Sequence, residues 1–162
     1  MFIKLVLAIE IQIVIGAKNQ IQKKYIEELS SNASKNLKAK EYQKAIAQYQ
    51  LAKKLGSNEA SLQLGVIYAS GLGVEKDYEK AFSYLQPLAS NGDAKAQFIL
   101  GSMYEMGQGV KKTWSDAVAW YVKSAGQQNT AATSALAYLY RTGEADPVIK
   151  KDAKKRENYI AQ

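Results

Sequence analysis

The chain repeats itself, and no other feature limits its fold as much. Slid along itself by 36 residues, the segment 59–93 falls within the next unit, 94–130. Ala60 meets Ala96, Leu64 meets Leu100, Gly65 meets Gly101 and Tyr68 meets Tyr104. Gly71, Gly73 and Val74 meet Gly107, Gly109 and Val110, and Ala81, Tyr84 and Ala89 meet Ala117, Trp120 and Ala125. One shift further, Ala132, Leu136, Tyr140, Gly143 and Ala153 continue the series, with Ala137 in the glycine position. One shift earlier, Tyr42, Lys44 and Ala45 match Tyr78, Lys80 and Ala81. A unit this short cannot bury its apolar face alone. It must stack on its neighbours into an array in which each unit touches the next.

Each unit reads as two helices. Ala60, Leu64, Val66, Ile67 and Tyr68 put apolar groups at spacings of three and four, as on one side of a helix. Gly71-Leu72-Gly73 ends it, because glycine reaches the left-handed backbone that closes helices. Tyr78, Ala81, Phe82, Tyr84, Leu85 and Ala89 form the second helix, with Asp77 as its cap. Thr113 replaces that aspartate in the next unit and loses the cap. The expected organisation is a segment 1–17, a cap or degenerate tetratricopeptide-like repeat at 18–58, repeats at 59–93 and 94–130, and a degenerate repeat or cap at 131–162. Within 18–58, Tyr42, Ala45, Ile46, Tyr49 and Ala52 share one helix face, and Ser31–Lys35 reads as a turn rich in capping residues.

The pattern Ala60, Leu64, Gly65, Tyr68, Gly71, Gly73, Val74, Asp77, Lys80, Ala81, Tyr84 and Ala89, with its partners in the next unit, resembles the Sel-one-like repeat family, a relative of the tetratricopeptide repeats. The resemblance implies an all-α fold, a right-handed α/α superhelix (solenoid) of helix-turn-helix repeats. It also implies a non-enzymatic adaptor that presents a concave face, built from the first helix of each pair, to a partner protein. Bacterial members of this size include envelope adaptors, host-directed effectors and immunity proteins that neutralise a toxin.

Met1–Ala17 has an early lysine, an apolar run and a small residue at its end, as a secretory signal peptide does. Glu10 and Gln12 interrupt the run, so an uncleaved anchor and a buried structural segment are competing readings. Export would place the chain in the bacterial periplasm; without it the chain is cytoplasmic. The net charge is +7, unevenly spread. Residues 18–58 hold nine lysines against Glu27, Glu28 and Glu41, whereas 59–93 hold two lysines against five acids. Basic ends around a neutral-to-acidic middle suit a solvated surface, or contact with an anionic membrane, better than nucleic-acid binding.

Little catalytic chemistry is available. The chain has no histidine and no cysteine, which removes the usual general base, thiolate nucleophiles, disulfides and nearly all zinc sites. Gly71-x-Gly73 and Gly107-x-Gly109 lack the third glycine and preceding strand of a nucleotide loop. No cofactor or metal is expected. A cell-wall hydrolase resting on Asp77, Glu79 or Asp116 is the remote enzymatic reading. Binding positions are expected where the repeats differ: Gln63, Ile67, Ser70, Ile99, Met103, Met106, Ala135 and Leu139. Tyr121, Tyr138 and Tyr159 stand outside the repeated aromatic positions, and aromatic residues anchor interfaces. Lys150, Lys151, Lys154 and Lys155 form a basic stripe for an acidic partner or lipid headgroups. The expected partner is a peptide segment or folded domain, acidic or a toxin, bound by a monomer or weak oligomer.

Overall fold

A computed structural model describes residues 2–145, 148 and 149, with side chains from residue 10 onward. Among the described residues the chain is all-helical: α1 Phe2–Lys38, α2 Tyr42–Lys54, α3 Asn58–Ser70, α4 Tyr78–Ser90, α5 Ala94–Met106, α6 Trp114–Ala125 and α7 Thr130–Thr142. It forms two compact units, residues 1–60 and residues 61–162.

The first unit is built on α1 and α2. The expected turn at Ser31–Lys35 is instead helical, and α1 runs unbroken for 37 residues. Serine and asparagine favour turns only weakly, and here tertiary contacts outweigh that preference. Leu29 and Ala33 are buried, Asn36 Nδ2 donates to Gln48 Oε1 at 2.8 Å, and Gln22 Nε2 donates to the Leu55 carbonyl at 3.3 Å. The real break comes at Lys40, whose φ of 61° is left-handed. On α2 the expected face holds: Ala45, Ile46, Tyr49 and Ala52 are buried.

The second unit carries the repeat in its helices. α4 and α6 begin at equivalent positions, as do α5 and α7. Leu64, Ile67, Leu100, Met103, Leu136 and Leu139 of the first helices face Ala81, Leu85, Ala117 and Tyr121 of the second, all at most 2% exposed. Small residues set the spacing. A Cβ on Gly65 would lie 2.6 Å from Leu85 Cγ, and one on Gly101 would lie 2.5 Å from Tyr121 Cδ1. The glycine is therefore the socket into which the next helix plugs a large, fully buried side chain. Glycine inside a helix costs about 1 kcal/mol relative to alanine, which the close packing offsets.

The loops are built alike. The Asp77 amide donates to the Tyr68 carbonyl at 3.0 Å, and the Thr113 amide donates to the Tyr104 carbonyl at 3.1 Å. Gly109, at φ 68°, sits so close to the start of α4 that a Cβ would meet the Tyr78 carbonyl carbon at 2.6 Å. Asp77 caps α4 through the Lys80 amide at 2.8 Å, as expected. Thr113 makes no capping bond to the backbone, and its hydroxyl donates to the Asp116 carboxylate instead. A polar network, absent from the repeat arithmetic, ties successive helices. Buried Gln97 donates through Nε2 to the Ala89 carbonyl at 3.0 Å and accepts from Gln127 Nε2 at 2.8 Å. The Ala94 carbonyl accepts from Ser124 Oγ at 2.6 Å and from Asn129 Nδ2 at 3.2 Å.

Gly101→Ala tests the socket. The Tyr121 ring is packed and hydrogen-bonded, so it cannot yield, and overpacking should exceed the gain in helix propensity. A loss of about 1–2 kcal/mol in urea denaturation is expected, whereas a surface glycine-to-alanine change in a helix would stabilise.

Candidate protein-binding face

The first helices α3, α5 and α7 expose one face each. Gln63, Val66 and Ser70 lie at i, i+3 and i+7, as do Ile99, Ser102 and Met106, and Ala135, Tyr138 and Thr142. Every one of these is at least partly exposed. The alternate positions turn inward. Ile67, Met103 and Leu139, expected as contact residues, occupy one and the same inward repeat position and are at most 1% exposed. Their variation between units is core variation, since apolar residues of similar volume exchange freely there.

Tyr121 also needs correction. It was expected at a surface but is 2% exposed. It lies one period after Leu85, so it fills the Gly101 socket as Leu85 fills the Gly65 socket. That equivalence was readable in the sequence and was masked by the change from leucine to tyrosine. Lys150, Lys151, Lys154, Lys155 and Tyr159 lie outside the described residues. Gln63, Ser70, Ile99, Met106, Ala135 and Tyr138 remain on the outward face.

Met106 and Tyr138 dominate that face. They are 59% and 44% exposed, the large hydrophobic side chains that the second unit leaves open among the described residues. Charged groups flank Tyr138. The Tyr138 hydroxyl donates to Glu144 Oε1 at 2.8 Å, and the Arg141 guanidinium lies 5.9 Å from its ring. The bond to Glu144 and its charge raise the Tyr138 pKa, Arg141 lowers it, and Glu105 adds a smaller upward push. Glu105 of α5 is thus within electrostatic range of Tyr138 of α7. Beneath them the Tyr121 hydroxyl donates to Glu105 Oε2 at 2.5 Å. Burial first, then the Glu105 bond and charge, push the Tyr121 phenol well above 10, with Ser102 partly opposing. The face therefore joins two apolar knobs to carboxylates and a guanidinium, with Glu105 held in place from below. Glu105, Arg141 and Glu144 carried no sequence signal of their own.

A depression of about 590 Å³, open to solvent, lies over the first loop. Tyr68, Asp77, Glu79, Lys80 and Gly109 line it. Tyr68 and Tyr84 stack at 5.8 Å, and the Lys80 ammonium sits 4.1 Å over the Tyr68 ring. Of the carboxylates considered for hydrolysis, Asp77 is engaged as a helix cap and Asp116 is bonded by Thr113. Among the described residues no three acids gather as a metal site would require.

A Sel1 repeat family model matches residues 58–93, 94–129 and 130–155. The crystal structure of a Sel1 repeat protein from Oxalobacter formigenes is similar over 74% of this chain and 48% of its own, at 34% identity and a TM-score of 0.64. That of c5321, described as a protective antigen of uropathogenic Escherichia coli strains with an SLR fold, covers 86% of this chain and 31% of its own. Its identity is 24% and its TM-score 0.73, a likeness of fold. The chain thus spans about half of the first protein and a third of the second. No curated protein sequence matches it.

The Tyr121–Glu105 bond predicts a particular pH response. A phenol whose folded pKa lies above 10 favours the neutral form in the fold. Its contribution is complete below pH 10 and falls as alkali ionises the unfolded chain first. Tyr121→Phe is expected to cost about 1–2 kcal/mol at neutral pH in urea denaturation. The gap between wild type and variant should narrow as pH rises past 10.

Proposed function

Because the chain belongs to the Sel1 repeat family, whose members generally mediate protein–protein interaction, we propose that it is a non-enzymatic adaptor of the bacterial cell envelope. The observation that carries this reading is the outward face of α5 and α7. Large hydrophobic groups left open beside fixed charges are the composition of an interface centre. A partner would seat an apolar side chain against Met106 and Tyr138 and pair its charges with Glu105, Arg141 and Glu144. Residues 1–17, read as an export segment, support the envelope. Within that setting, neutralising a toxin as an immunity protein is the finer form of the proposal.

The test uses a photo-crosslinking residue at position 106 or 138, with a control at Ser83, exposed on α4. In envelope extract, positions 106 and 138 should give one common adduct, identified by mass spectrometry and reconstituted with the purified partner. Met106→Asp with Tyr138→Asp should weaken that purified complex roughly tenfold or more, with melting unchanged because both side chains are exposed. Adducts confined to position 83, or retention of nucleic acid alone, would refute the adaptor reading.

A further inference from the structure

Among the described residues, most of the exposed large hydrophobics lie elsewhere, on α1. Ile11, Ile13, Val14 and Ile15 are 57%, 65%, 66% and 46% exposed, and Ile21 and Tyr25 are 71% and 47% exposed. Six of the nine exposed large hydrophobics among the described residues thus stand on one stretch of one helix. Helical geometry separates two kinds of occupant. At 100° per residue, Ile11, Val14 and Ile15 share a side, while Ile13 points to the other. A partner helix would cover a single stripe, as in a coiled coil. A surface that is apolar on several sides calls for an apolar medium around it.

Charge identifies the medium. Lys18, Lys23 and Lys24 follow directly and are all exposed. Beyond them Lys35, Lys38, Lys40, Lys44, Lys53 and Lys54 are exposed as well. An apolar stretch that gives way to a lysine cluster matches the boundary between acyl chains and anionic headgroups. α1 also passes the Ala17–Lys18 junction without a break, so this stretch is a stiff extension of the part packed on α2. Among the described residues no helix is long and apolar enough to cross a membrane. Residues 2–17 would extend about 24 Å as helix, less than the hydrocarbon core of a bilayer.

We infer that α1 docks the chain onto an anionic membrane surface. Ile11–Ile15 enter one leaflet, Lys18, Lys23 and Lys24 contact phosphate headgroups, and the second unit stays free. This goes beyond the adaptor reading, does not depend on its binding face, and requires residues 1–17 to stay uncleaved.

The test is sedimentation of the purified full-length chain with vesicles. Wild type should pellet with phosphatidylglycerol-containing vesicles and stay soluble with phosphatidylcholine alone. Ile11→Asp with Ile15→Asp should stay soluble with both. Replacing Lys18, Lys23 and Lys24 by glutamine should weaken binding roughly 100-fold. These side chains are exposed, so unchanged helical circular dichroism and melting would certify both variants as folded. Failure of wild type to pellet would overturn the inference, as would equal binding by the isoleucine variant. So would a dimer in lipid-free solution that the isoleucine variant dissociates while no lipid is bound. In cells, the membrane-bound chain should retain its first 17 residues by intact mass. A chain beginning at Lys18 would overturn membrane docking and leave the crosslinking result at positions 106 and 138 untouched.

Discussion

The distance between paired helices in the second unit is fixed by an atom that is missing. With no Cβ at Gly65 and Gly101, Leu85 and Tyr121 press directly on helix backbone. Everything built on that spacing follows. The alanines at 81 and 117 fit only because the helices are this close, and the inward leucines of α3, α5 and α7 meet the next pair at close-packed density. A uniform socket also leaves the outer positions without structural duty, which frees them to differ. Residues that vary on the outside and residues that vary in the core are therefore separated by burial, not by the amount of variation.

That separation decides what could be read beforehand. The repeat fixed helix order, the loops and the Asp77 cap, because each rests on local chemistry that recurs at one spacing. The four misplaced contact residues fail for one reason. Ile67, Met103 and Leu139 change identity without changing side, and Tyr121 changes both size and polarity while keeping the Leu85 position. Each of the four keeps its repeat position, and burial at that position recurs from unit to unit. The long α1 failed differently. Ser31, Asn32 and Ser34 look like a turn in isolation, and only the packing of Leu29 and Ala33 makes them helical. Glu105, Arg141 and Glu144 owe their importance to neighbours from another helix, which no single stretch of sequence displays.

The two units divide the chemistry between them. Residues 18–58 concentrate positive charge, and the described apolar exposure of α1 adjoins it. The second unit carries mixed charge and places its open hydrophobics among carboxylates. One chain thus offers two surfaces that would attract partners of different kinds, and neither requires a catalytic group.

The network at Gln97 has a consequence for how the array comes apart. In a stack of repeats, each unit can fray independently unless the junctions couple them strongly. Here the Gln97 amide spans the end of α4 and the turn after α6, while the Ala94 carbonyl holds the end of α6 and the start of α7. Loosening the start of α7 would remove Asn129 from a carbonyl at the start of α5, so these bonds couple neighbouring pairs and oppose independent fraying.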